Sequence, residues 1–164
     1  MTNKEAANRL TEMLKSANRG KYPNYPGHLT MPVKKYNLST ANGLTQAVIA
    51  WVQAHGYQAE RISTTGRPID RSKVVTDVVG FKRRIGSIEW IPGTQTRGSA
   101  DISCSIPLKG SNGFAVSVKI EIKINKDRLS IHQKKYGEQI EIAGGVYLVV
   151  RTLSDLFDWW DKNV

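Results

Sequence analysis

The 164-residue chain carries 24 Lys and Arg against 14 Asp and Glu, a formal charge of +10, and is 40% hydrophobic. That is enough apolar material for one compact domain with an appendage, too little for two ordinary domains, and the charge points to a polyanionic partner. A single cysteine, Cys104, excludes a disulfide framework and fits a reducing cytoplasm, no apolar run reaches membrane-spanning length, and the charged amino terminus is unlike a secretory signal.

In chain order, residues 2–20 are expected to form a helix, with Thr2 and Glu5 as a capping box, Ala6, Leu10, Met13, Leu14 and Ala17 as its apolar stripe and Gly20 as its stop. Pro23, Pro26 and Pro32 then favour extended chain, so residues 1–40 are expected to be an N-terminal helix and Pro-rich arm, docked or mobile, ahead of a domain over residues 41–164. "NGLTQAVIAWVQAHG" repeats apolar residues at helical spacing up to Gly56, and "YQAERIST" follows as a strand. Residues 66–98 are the least legible: a strand or helix in "SKVVTDVVGF", a basic cluster Lys82, Arg83, Arg84, and a turn-rich "PGTQTRG". Two clean strands, "SADISCSI" and "FAVSVKIEIKI", are joined by the hairpin-like "PLKGSNG". A helix capped by Ser130, the buried strand "VYLVV" and an amphipathic helix from Thr152 complete an α/β fold, a small mixed β-sheet flanked by helices.

The acidic residues concentrate in this last part: residues 1–97 hold 15 Lys and Arg and 6 Asp and Glu, residues 98–164 hold 9 and 8. Alternation puts Ile102, Cys104 and Ile106 on one face of the first strand and Asp101, Ser103 and Ser105 on the other. The second strand sends Phe114, Val116, Val118, Ile120 and Ile122 inward and Ser117, Lys119, Glu121 and Lys123 outward. If the strands pair as a hairpin with a shared apolar face, Asp101 falls opposite Lys119 or Glu121. Two ionised carboxylates about 5 Å apart repel by roughly 3 kcal/mol at an effective dielectric near 20. Either Lys119 and Lys123 offset that in an ordinary charged face, or a divalent cation sits between Asp101 and Glu121. The small residues Ser103, Ser105, Ala115 and Ser117 around them leave room for the second arrangement.

Asp101 in "GSAD", Glu121-Ile122-Lys123, Arg128-Leu129-Ser130-x-x-Gln133 and Gly144-Gly145 occur in this order. The pattern resembles the PD-(D/E)XK nuclease superfamily, and within it the virus-type replication-repair nuclease (VRR-NUC) branch. The resemblance covers residues 97–156, and residues 44–65 more loosely. The helix "NGLTQAVIAWVQAHG" has Gln46 where members often carry a glutamate, and Ala100 stands where a proline often precedes the aspartate.

The resemblance implies a restriction-endonuclease-like core and an Mg²⁺- or Mn²⁺-dependent deoxyribonuclease, an endonuclease hydrolysing phosphodiester bonds. Structure-selective or junction-resolving action would suit the branch, as would the cytoplasm of a bacterial or phage-infected host cell. In this reading Asp101, Glu121 and the carbonyl of Ile122 hold the metal. The metal acidifies a water and polarises the phosphate, Lys123 positions that water or stabilises developing charge, and Gln133 orients Lys123 or the water. Arg97 and Lys126, flanking the motif, lead the candidate DNA contacts, followed by Lys82, Arg83, Arg84, Arg128, Lys134 and Lys135. Two-fold DNA substrates would favour a homodimer. The alternative is a non-catalytic nucleic-acid-binding module on the same fold. His28, His55 and His132 have no metal-ligand spacing, and Cys104 falls on the apolar face.

Overall fold

Each expected helix forms, and each starts on a residue whose side chain caps its first turn. The computed structural model describes all residues except 64, 65, 94 and 95, so part of "YQAERIST" and of "PGTQTRG" lies outside the described residues. In chain order the elements are α1 (Asn3–Lys21), α2 (Ala41–Ala54), β1 (Gln58–Arg61), β2 (Arg67–Asp70), β3 (Lys73–Thr76), β4 (Lys82–Ile85), β5 (Ile88–Ile91), β6 (Ile102–Pro107), β7 (Ala115–Ile122), α3 (Ile131–Ile142), β8 (Val146–Val150) and α4 (Leu153–Asn163). Thr2, Thr40, Ser130 and Thr152 each accept the amide of the residue three further on, satisfying one of the orphan donors of a helix start. Gly20 does not stop α1, which runs through it to Lys21. Pro23 does, because it disfavours helical geometry at Tyr22, whose φ is −126° and ψ 69°.

These elements fall into two units, Met1–Ile62 with Gly98–Val164, and Ser63–Arg97. The first holds a four-stranded mixed sheet in the order β1-β6-β7-β8, antiparallel except for the β7–β8 pair. The β6–β7 hairpin follows the alternation seen in the sequence, with Ile102 opposite Ile120 and Cys104 opposite Val118. One sheet face supplies Ile102, Cys104, Ile106, Val118, Ile120 and Ile122 to a core completed by α2 and α4. Phe114, expected on that face, is instead 77% exposed, because β7 begins only at Ala115 and Phe114 still belongs to the turn.

α1 is not an appendage to this unit. Ala6 and Leu10 are buried in the same core, and Arg9 pairs with Asp161 at 2.5 Å while lying over the Trp51 and Phe157 rings. The Pro-rich stretch is docked at Met31, which is 3% exposed, and by Asn18 Nδ2 donating to the Pro32 carbonyl at 3.0 Å. Of the adjacent tryptophans, Trp160 is buried and Trp159 only partly so, as one helix face requires.

The second unit is a β-ribbon. β2 pairs with β5 and β3 with β4, and a single register runs through both, from Arg67 opposite Ile91 to Thr76 opposite Lys82. The basic cluster is therefore strand β4, and "SKVVTDVVGF" resolves into strand β3 and the turn that follows it.

Candidate active site

β6 and β7 bring the acidic residues together at one end of the sheet. Ser103 faces Lys119, so Asp101, one residue before β6, comes level with Glu121, the closer of the two registers anticipated. Its Oδ2 accepts the Ile122 amide at 2.8 Å. Within a strand the N–H and C=O of one residue point to the same neighbour, so the Ile122 carbonyl is also directed to the Asp101 side. The amide of Lys123 points the other way, donating to the Val150 carbonyl at 3.0 Å.

Alternation alone assigns Lys119, Glu121 and Lys123 to a face that water could reach. The fold closes most of it. Glu121 is 2% exposed and Lys123 7%. The cover is α3, which approaches β8 so closely that a Cβ on Gly137 would lie 2.7 Å from the Tyr147 ring. The chain ahead of Asp101 also presses on the start of α3, since a Cβ on Gly98, whose φ is +86°, would meet the His132 backbone at 2.5 Å. Glycine is required there both by space and by conformation.

Inside this enclosure the Lys123 ammonium sits 3.2 Å from Glu121 Oε1 and 3.2 Å from Asp127 Oδ2. Gln133 donates its Nε2 to Glu121 Oε1 at 2.5 Å while its Oε1 accepts the Ser130 amide at 2.9 Å, completing the capping box of α3. Gln133 thus holds the glutamate directly, where the motif led to the expectation that it orients Lys123 or the water. Lys119 takes no part in a charge ladder, because its Nζ donates to Ser103 Oγ at 2.6 Å. Glu121 Oε2 and the Tyr147 hydroxyl are buried with no hydrogen-bond partner.

The electrostatics follow from this packing. Burial, and then the nearby Asp101 charge, push the Glu121 carboxyl up to about 7 against the pull of Lys123. For Lys123, burial works against the ammonium, but hydrogen bonds to Asp127 and Glu121 outweigh it and raise its pKa. The Tyr147 phenol is raised by burial, by the charges of Glu121 and Asp101, and by its own interaction with the Glu121 carboxylate, although the two groups fall short of hydrogen-bonding geometry. Cys104, pushed up to about 12 by burial on the opposite sheet face, is an inert core thiol.

Among the described residues no cluster of three or more His, Cys, Asp or Glu is placed to hold a metal ion. The site offers two carboxylates, Asp101 and Glu121, and one backbone carbonyl, that of Ile122. That donor set fits Mg²⁺ or Mn²⁺ better than zinc, because hard cations take oxygen ligands and Mg²⁺ keeps several waters or phosphate oxygens. The unpartnered Glu121 Oε2 is the observation that fits a cation.

Two participants were not singled out from the sequence: Asp127, four residues after Lys123, and Tyr147, the one polar residue of "VYLVV". Tyr147 pairs with Lys119 across the parallel β7–β8 register, which sets it on the carboxylate face. Gln46, in the helix where a glutamate was looked for, accepts from Lys34 Nζ at 2.8 Å. Among the candidate DNA contacts, Lys126 and Arg128 are exposed in the loop between β7 and α3, and Lys134 and Lys135 are exposed on α3. Arg97 is exposed at the end of the ribbon unit, and Lys82, Arg83 and Arg84 are exposed on β4. His55 bonds the Trp51 carbonyl through Nδ1 at 2.8 Å and stacks among Trp51 and Trp160, while His28 and His132 are exposed. No described helix is long and apolar enough to cross a membrane. The chain matches no family model, no curated protein and no solved structure.

Proposed function

We propose that the chain is a metal-dependent deoxyribonuclease with a restriction-endonuclease-like core, acting at the Asp101–Glu121–Lys123 site. One observation carries this reading: a glutamate buried beside an aspartate, with one carboxylate oxygen left without a partner. An unsatisfied buried polar atom costs about 1–3 kcal/mol, and a charged one more. The Tyr147 hydroxyl interacts with the Glu121 carboxylate but makes no well-formed hydrogen bond to it, so it offsets only part of that cost. A site that must receive a cation explains it, since perturbed, strained ionisable groups gather where chemistry is done.

Asp101 and Glu121, with the Ile122 carbonyl, would hold the ion. When bound, Mg²⁺ or Mn²⁺ would supply an acidified water and a polarised phosphate. Lys123 keeps a positive charge at the end of β7, fixed by Glu121 and Asp127, where it stabilises negative charge developing on a phosphate. Gln133 fixes the Glu121 carboxylate through Oε1 and leaves Oε2 to the ion. The binding-only alternative is served equally well by the Lys123–Glu121 pair, but it gives Oε2 no purpose.

Incubation of the protein with linear, nicked, forked and four-way DNA, with and without Mg²⁺, tests the reading. Cleavage should require the metal, and Asp101→Asn should abolish it while keeping the Ile122 amide bond through the Asn carbonyl. Mg²⁺ should raise the melting temperature of the wild type only. If neither protein responds to Mg²⁺ and the wild type cuts no DNA offered, the site is an ion pair and not a reaction centre.

A further inference from the structure

The ribbon Ser63–Arg97 exposes what a folded chain ordinarily buries. All described positions from Lys73 to Trp90 other than Asp77 are exposed, and Val78, Val79 and Phe81 at the turn reach 105%, 75% and 68%. A two-stranded ribbon is at best marginally stable in water, so a ribbon with neither face packed by its own strands' side chains is incomplete without a partner.

The turn is built to hold those side chains outward. The Asp77 carboxylate accepts the amides of Val79 at 3.0 Å and Phe81 at 2.9 Å, the Asp77 amide donates to the Phe81 carbonyl at 2.9 Å, and Gly80 takes a φ of +89°. Four backbone groups are thereby satisfied locally, and the apolar side chains are left with no contact to make inside the turn.

Charge selects among partners. The unit carries seven Lys and Arg and three Asp and Glu. Each acid is already paired within the ribbon, Asp70 with Arg84, Asp77 with Arg83 and Glu89 with Arg71. Arg67, Lys73, Lys82 and Arg97 form no ion pair with an acidic residue among the described residues. Facing a second ribbon, these cations would repel. A polyanion would neutralise them.

Both ends of the ribbon are anchored in the first unit next to Asp101, one by a backbone hydrogen bond and one in the chain. The chain departs after Ile62 and returns at Gly98, and the Ile62 amide donates to the Asp101 carbonyl at 2.8 Å.

We propose that Ser63–Arg97 engages duplex DNA, with Val78, Val79 and Phe81 inserting as an apolar wedge between base steps while Lys73 and Lys82 hold the adjacent phosphates. A two-stranded ribbon fits a DNA groove, and apolar wedges flanked by cations unstack base steps. The preference for DNA over an anionic lipid surface rests on the nuclease reading; the incompleteness of the ribbon does not.

The test uses the full chain in EDTA, so that binding is read without cleavage, and a labelled duplex carrying 2-aminopurine. Wild-type protein should bind and raise the 2-aminopurine fluorescence. Phe81→Ser combined with Val78→Ser should weaken binding at least about tenfold and lose the fluorescence rise, with the salt slope unchanged. Lys82→Ala should lower the log–log salt slope by about one while the rise persists. Tip variants that bind and unstack like the wild type overturn the inference. So does wild-type protein that binds phosphatidylserine vesicles and not the duplex, or a dimer that the tip variants dissociate with DNA affinity unchanged. Tip-dependent unstacking by a protein that cuts nothing with Mg²⁺ upholds the ribbon and removes the nuclease reading; cleavage with a dispensable tip does the reverse.

Discussion

The carboxylate end of the sheet and the ribbon invert the usual partition of a soluble protein in opposite directions. The first buries Glu121 and Lys123, charges that ordinarily stay in water, and the second exposes Val78, Phe81 and Trp90, side chains that ordinarily leave it. Both arrangements cost free energy in the isolated chain. What the contrast teaches is where function is to be sought: in each region the surplus is of the kind that a different ligand would relieve, a cation at Glu121 Oε2 and a stacked, phosphate-bearing surface at the ribbon tip.

The contrast is most sharply tested at Glu121. Its folded pKa of about 7 lies above the ordinary 4.5, so between those values the folded protein binds more protons than the unfolded one. Stability from this group is therefore complete below about pH 4.5 and falls by about 3 kcal/mol as pH rises through 7. Denaturant midpoints of metal-free protein across that range should show the fall, and Glu121→Gln should remove it. A wild type and variant with parallel profiles would mean that the burial penalty is met elsewhere.

Next in size is the cover over the site. Gly137→Ala forces a Cβ against the Tyr147 ring and should destabilise by about 1–3 kcal/mol in thermal melts despite the better helix propensity of alanine. A neutral result would show that α3 can lift away without cost. Gln133→Ala removes both the capping contact and the bond to Glu121 and should cost about 1–2 kcal/mol. It should also loosen metal binding, which calorimetry with Mn²⁺ would read. Smallest of all, Phe81→Ser at the exposed tip should move the melting free energy by less than about 0.5 kcal/mol. A larger loss would mean that the tip serves the fold, and the two regions would no longer differ in kind.

The same contrast explains what could be read from the sequence. β6 and β7 were legible because one face is buried: Ile102, Cys104, Val118 and Ile120 imprint a period of two, and that period placed Asp101 near Glu121. α3 was legible from Ser130 as its N-cap. The ribbon left no such imprint. With "KVVT" and "KRRI" exposed throughout, neither strand needs polar and apolar residues to alternate, and a periodic signal does not arise. The burial of Lys123 was also illegible, since it depends on how closely Gly137 lets α3 approach Tyr147, a long-range contact to which no local pattern refers. α1 showed its stripe, but the stripe does not say which elements cover it: Ala6 and Leu10 join the core of α2 and α4, and Arg9 meets Asp161, 152 residues away.

Gln133 spends one side chain on two tasks, closing the first turn of α3 with its oxygen and holding Glu121 with its nitrogen. Helix ends fray far more readily than cores unfold, and here fraying of that turn would release the glutamate at the same moment. The readiness of the site is thus tied to the opening and closing of a single helical turn, a local equilibrium that can run many times within the life of one folded molecule. Whatever steadies the start of α3 therefore also steadies the carboxylate, and whatever loosens it frees both at once.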